Sequence, residues 1–405
     1  MKFLLFSLIT SLFLCFQSSL ASIKEYKLNN IRVIICDDFF LPIAKVGVFY
    51  SVGLNQLKNI CEAEIIEKIF FSETSKKSAK KLGTDVVFRI YDDFSEASAI
   101  VSNEQIPNII KIILDNKTEV TDFLLIKNKI KIRHKLSDYF QTNFVDNEIY
   151  VGIDHKYIFN ESTLDYIAES DLKNSLNKYE KTHLNIIICG KLDEKQLIKK
   201  LHLKHPSPKD VNTYMDNSLN TITSLNFSER TVEARSKFLG RSLYYMYQTK
   251  NPDLKKKQNA IFAILSHEIF NYFKKYSLLI DNFLLTNLAK YDLFLLGFKL
   301  KADVSKKSFE INLKNFFSYI QKTKFSHKKL ELISKLKKFS EINVGEDIHA
   351  KYQIIKNRYI LPSKTQNPTS EEILNISSDD IRNFMEQVIT NNFVAKISTQ
   401  YKTEN

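Results

Sequence analysis

The side chains able to do chemistry in this sequence are few and scattered. Three cysteines lie beyond the first twenty residues, Cys36, Cys61 and Cys189. An odd count without C-x-x-C spacing leaves at least one thiol unpaired and argues against a disulfide scaffold or a thiol-redox centre. His202 and His205 stand three apart beside Pro206, with no third ligand near them in the sequence. His134 is a lone imidazole in a basic helical stretch. Glu64 and Lys68 are one helical turn apart, a spacing that on a solvated face makes an ion pair worth ~0.3–0.5 kcal/mol. Asp37-Asp38 and Asp92-Asp93 fall at strand ends, where paired carboxylates serve turns rather than acid–base work. There is no G-x-S-x-G elbow, no phosphate loop and no G-x-G-x-x-G.

The elements that must position these groups follow from periodicity. Strands are expected at Ile31–Cys36, Ala44–Val52, Val86–Tyr91, Ala97–Val101 and Leu184–Cys189, and helices at Ile60–Ser72, Gln105–Leu114, Thr121–Phe140 and Ser170–Tyr179. Residues 206–224, entered through Pro206 and Pro208, read as a linker. Beyond it, strands are expected at Ser242–Gln248, Leu278–Leu285, Leu293–Lys301 and Phe393–Ser398. Helices are expected at Asp253–Phe273, Lys306–Ile320, His327–Phe339 and Asp379–Val388.

The two halves run in the same order, and parts of them align without a gap. Asp171-Leu172-Lys173-Asn174 matches Asp380-Ile381-Arg382-Asn383, after which Leu176, Tyr179, Leu184 and Ile188 fall on Met385, Val388, Phe393 and Ile397. A period this long predicts two homologous domains rather than a solenoid. The expected fold class is α+β, with residues 22–205 and 225–405 each forming a mostly antiparallel sheet covered by helices.

Met1-Lys2, an apolar run from Phe3 to Phe16 and a small-x-small ending at Ala21 form a secretory signal over residues 1–21. The run is short of the ~20 apolar residues a spanning helix needs, and no later stretch reads as a membrane span. The mature chain is thus expected in the periplasm or secreted. The formal net charge of the full sequence, +13, comes from lysines spread along the whole chain. Lys, Asn, Ile and Phe, all abundant, share AT-rich codons, so no nucleic-acid partner is expected.

Several segments resemble the insulinase, pitrilysin and mitochondrial processing-peptidase family. Tyr26-Lys27-Leu28-Asn29-Asn30-Ile31-Arg32-Val33 is similar to its opening strand, and Val46–Gly53 to the second strand with its closing glycine. Glu67-Lys68-Ile69-Phe70-Phe71-Ser72-Glu73-Thr74 sits where the family has E-H-M-L-F-x-G-T, and Asp171–Lys191 resembles the segment leading into the first domain's last strand. Active members carry H-x-x-E-H, two histidines binding zinc and a glutamate acting as general base. The resemblance puts Glu64 and Lys68 at the ligand positions and Glu67 at the base position. Only Glu67 matches. An ammonium has no lone pair, and stripping the proton from an ordinary lysine at pH 7 costs about 4.6 kcal/mol. The family's third ligand, a glutamate from a later helix, has no counterpart between Phe123 and Ser137, where Arg133 and His134 stand instead.

The family's Asn-Ala pair on the substrate strand is also missing, and Gly83-Thr84-Asp85-Val86 occupies that region. Of the arginine and tyrosine that hold substrate in the second domain, only Tyr276 has a counterpart. Only 8 glycines among 405 residues leave few places for the close backbone approach of a peptide clamp. The resemblance implies a catalytically inactive relative that needs no cofactor, zinc being the metal of active members. Its partners would be peptides or unfolded polypeptides, or an active sister peptidase in a heterodimer. The alternatives are an active zinc metalloendopeptidase using Glu64 and Glu67, and a stand-alone periplasmic peptide-binding or envelope protein.

Overall fold

A computed structural model describes residues 22–401 apart from residues 30, 38–41, 119, 121, 141–158, 181, 202–229, 237–240, 276–278, 289–292, 344–346, 361–367 and 391–392. The expected signal over residues 1–21, the linker at 206–224, His202, His205 and Tyr276 lie outside the described residues.

The chain opens with a hairpin. Strands β1 (Ser22–Leu28) and β2 (Ile31–Asp37) pair antiparallel, and Asn29 turns between them at a φ of 47°. The strand expected at Ile31–Cys36 is β2, and the segment Tyr26–Val33, likened to an opening strand, spans the turn before it. Asparagine tolerates the left-handed backbone that the turn requires. There follow β3 (Ile43–Tyr50), α1 (Ile60–Ile69), α2 (Glu73–Lys81), β4 (Val87–Ile90), β5 (Ser95–Ser102), α3 (Ile106–Leu114) and α4 (Phe123–Phe140). Next come α5 (Glu161–Tyr166), α6 (Glu169–Glu180), β6 (Leu184–Gly190) and α7 (Glu194–Lys200). The six strands form one sheet in the order β1-β2-β6-β3-β5-β4, with β2 and β6 parallel and the other pairs antiparallel.

Strand β6 reads Leu-Asn-Ile-Ile-Ile-Cys-Gly and is buried along its whole length, because both faces of the sheet are covered. Successive side chains alternate between those faces. Val33, Ile35, Val46, Val48, Ile186 and Ile188 face a core shared with Ile65, Ile66, Ile109 and Ile110 of α1 and α3. Ile34, Cys36, Phe49, Ile187 and Cys189 face a separate cluster with Ile348, Tyr352 and Ile355. Cys36, Cys61 and Cys189 are free and buried.

The second half supplies β7 (Arg230–Ser236), β8 (Ser242–Gln248), α8 (Pro252–Lys275), β9 (Ile280–Leu288), β10 (Leu293–Leu300), α9 (Lys306–Lys322) and α10 (His327–Asn343). It continues with α11 (Ile348–Tyr359), α12 (Ser370–Leu374), α13 (Ser378–Phe384), a π-turn over Met385–Thr390, and β11 (Phe393–Tyr401). Its sheet runs β7-β11-β8-β10-β9, with β7 and β11 parallel. Setting β1 aside, this is the order β2-β6-β3-β5-β4 of the first sheet. Positions that align in the sequence are also buried alike: Leu172 and Ile381, Leu176 and Met385, Ile188 and Ile397. The architecture is α+β, two mostly antiparallel sheets covered by helices.

One helix crosses between the halves. α11 belongs by position to the second half, yet it packs on β6 and β3 of the first sheet and carries the Ile348, Tyr352 and Ile355 of the second-face cluster. No helix among the described residues is long and apolar enough to cross a membrane.

Candidate functional site

Helix α1 is held at its start by two acceptors. The Asn59 side chain accepts from the Glu62 amide at 3.0 Å, a regular N-cap. The Glu62 carboxylate, fully buried, accepts from the Lys58 amide at 2.6 Å and from Ser175 Oγ of α6 at 2.8 Å. Ile65, Ile66 and Ile69 then enter the core at helical spacing, which turns Glu64, Glu67 and Lys68 away from it.

Glu64 does not pair with Lys68, contrary to the intrahelical pair expected from their spacing. It reaches α4 instead. Its Oε2 lies 2.6 Å from Arg133 Nη2, and its two oxygens lie 2.8 and 2.9 Å from His134 Nε2. The physical reason is partial burial: the side chains of Glu64 and His134 are 15% and 12% exposed, where charge-assisted bonds outweigh a solvated i,i+4 contact. The carboxylate only accepts, so Nε2 is the nitrogen that carries a proton. The ring also stacks flat on Phe159, with centroids 3.5 Å apart. The structure thus brings Glu64, Arg133 and His134 together and leaves Lys68 exposed, without a hydrogen bond or ion pair among the described residues.

Glu67, expected at the general-base position, is turned to a structural task. Its Oε1 accepts from the Ile90 amide at 2.8 Å, tying α1 to the last residue of β4. Burial pushes its carboxyl above the usual 4.5, against the Ile90 hydrogen bond and the charges of Arg89 and Lys68. An acid whose pKa is raised on folding leaves stability intact below 4.5 and lowers it as pH climbs through the folded value. Glu67→Gln keeps an acceptor for Ile90 and removes the titration. Urea unfolding between pH 4 and 7 should show a shallower decline for the variant; an equal or steeper one would contradict this account.

These groups do not fit zinc. Both Glu64 oxygens are engaged by Arg133 and His134, the His134 nitrogen that faces them carries a proton, and a lysine, Lys68, stands where the resemblance leads one to expect the second histidine. No cluster of three histidine, cysteine or acidic side chains suited to a metal occurs among the described residues.

Beside this arrangement α1, α2 and α4 enclose a cleft of about 490 Å³. Lys68, Lys76, Lys129 and Arg133 line it together with Glu73 and Asp122, and Ile69, Phe71, Leu125 and Ile126 give it an apolar wall. Nothing in the sequence announced it, because α2 reads Glu-Thr-Ser-Lys-Lys-Ser-Ala-Lys-Lys and has no apolar stripe. Its signals are the Ser72 cap and the glycine after it. Gly83, at a φ of 76°, ends the helix, so the region where the family has its Asn-Ala pair begins as a helix stop. β4 closes the first sheet on this side and, among the described residues, pairs with no strand but β5; on its outer edge the Ile90 amide is taken by Glu67.

No family model matches the sequence, and no curated protein matches it. Solved structures do. An M16-like peptidase from Alicyclobacillus acidocaldarius superimposes with a TM-score of 0.72 at 10% identity, over 95% of this chain and 99% of that one. An inactive M16 peptidase domain from Pseudomonas fluorescens gives 0.63 at 12%, over 95% and 99%. The periplasmic protease PqqL from Escherichia coli gives 0.61 at 11%, over 95% of this chain but 47% of its own. This chain therefore spans about half the length of PqqL and the full length of the other two. At such identities the likeness is one of fold, and the chain has the fold of the M16 peptidases.

Proposed function

We propose that this chain is a catalytically silent, exported member of the insulinase-type peptidase family that holds extended polypeptides and works beside a second chain with an intact H-x-x-E-H. The observation that carries the reading is the Glu64 carboxylate spent on Arg133 and His134, with Lys68 next to it in place of a ligand. The edge of β4 away from β5 would suit an extended peptide, adding a strand by backbone hydrogen bonds once Glu67 gives up the Ile90 amide. An inactive domain of the same fold in Pseudomonas fluorescens, and a periplasmic protease twice this length, are consistent with a non-catalytic half.

Purified protein should contain far less than one zinc per chain and should cleave no unfolded polypeptide. Capture from native cells should bring down a zinc peptidase. A chain that consistently purifies alone but still binds peptides would be a stand-alone peptide binder. The contrary reading is an active zinc enzyme that uses Glu64 and Glu67 with a further ligand. Stoichiometric zinc with peptide cleavage would establish it.

A further inference from the structure

We infer that the cleft between α1, α2 and α4 receives an acidic segment of a polypeptide, with Lys68 and Lys129 as the cations that meet its carboxylates. The inference rests on the peptide-holding reading above and names the chemistry of what is held. Four cations line the cleft against two carboxylates. Two of the four are already committed: Arg133 to Glu64 at 2.6 Å, and Lys76 to Glu73 at 2.9 Å. Lys68 and Lys129 face the same space from two different helices and have no ion-pair partner among the described residues.

The wall between these cations is apolar, formed by Ile69, Phe71, Leu125 and Ile126. A small inorganic anion gains nothing from that wall. A peptide that alternates acidic and apolar side chains uses both surfaces. The cleft also adjoins the outer edge of β4, since Glu67, the neighbour of Lys68, holds the outward-facing amide of Ile90 there. A peptide seated in the cleft therefore lies beside that edge, on the side where Lys68 stands.

Fluorescence anisotropy on the full chain tests this with two labelled peptides of equal length. One alternates Glu or Asp with Leu and Val, and the other replaces every acid by Gln or Asn. The acidic peptide should bind roughly tenfold more tightly at low salt, lose that advantage as ionic strength rises, and lose it also in the K68Q/K129Q variant. Both lysines are exposed, and an unchanged melting curve verifies that the variant is folded. Equal binding of the two peptides, unaffected by the variant, overturns the acidic preference while leaving peptide binding standing. Failure of both peptides to bind overturns both readings. If inorganic phosphate, anionic vesicles or single-stranded DNA compete as well as the acidic peptide does, the cleft is a general anion site and the inference falls.

Discussion

Lys356→Met should lower the stability of the protein by about 3–5 kcal/mol, the cost of stranding one partner of a buried ion pair. Lys356 on α11 lies 2.5 Å from Glu96 Oε2 on β5, and both side chains are 5% exposed. Glu96 Oε1 accepts from the Tyr352 hydroxyl at 2.7 Å. Burial and the Glu96 charge push the Tyr352 phenol well above its ordinary value, so it remains a donor across the working pH range. The carboxylate is thus satisfied chiefly by α11, and α11 is the helix that joins the second half of the chain to the first sheet. Lys45 offers no substitute: its ammonium lies 2.9 Å from His349 Nδ1, and burial pulls its pKa down against the attraction of Glu96. Glu96→Leu should cost a similar amount by leaving Lys356 unpaired.

The informative variant is the double one. Replacing both partners by apolar residues of similar volume, Glu96→Leu with Lys356→Met, removes both buried charges, and such replacements are often neutral. The double variant should therefore be more stable than either single variant by urea unfolding. Simple addition of the two single losses would show that the pair is not coupled and that α11 is held by its apolar face alone.

That contact was not legible in the sequence, because its partners stand 260 residues apart and no periodicity links them. α11 itself carries a readable helical spacing in Ile348, Tyr352 and Ile355, but spacing says which face is apolar and not which sheet it covers. The central strands were legible for the opposite reason. Ile186, Ile187 and Ile188 in one run leave a buried strand as the simplest outcome, and the matched burial of Leu172 with Ile381 follows the alignment of the halves. α2 was missed because its sequence is polar throughout, and only its caps mark it. At the site, the residues singled out on α1 and α4 do meet, as Glu64 with Arg133 and His134. The pairing was misjudged because a one-turn rule knows nothing of a guanidinium arriving from another helix, and partial burial makes that arrival decisive.

Gly47→Ala is expected to be the most damaging single-methyl change in the first sheet. Gly47 lies on β3, opposite Ser98 of β5 and Ile187 of β6, on the face that meets α11. A Cβ built there would sit 1.6 Å from the Tyr352 hydroxyl oxygen and 2.7 Å from Cζ of the same ring. The ring is fully buried and stacks beside Phe49 with centroids 6.3 Å apart, so it has no vacant direction to take. Overpacking of this kind costs about 1–3 kcal/mol. A displaced ring also gives up its hydrogen bond to the Glu96 carboxylate, a further loss of about 1.5–3 kcal/mol. Tyr352→Phe alone should incur only the second of these. Adding Gly47→Ala to the Tyr352→Phe background should then cost less than it does in the native chain, because the nearest clashing atom is gone, but not nothing, because Cζ remains. Urea titrations of the four proteins decide it: if the glycine substitution costs the same in both backgrounds, the close approach of Tyr352 to β3 is not what requires a glycine at position 47.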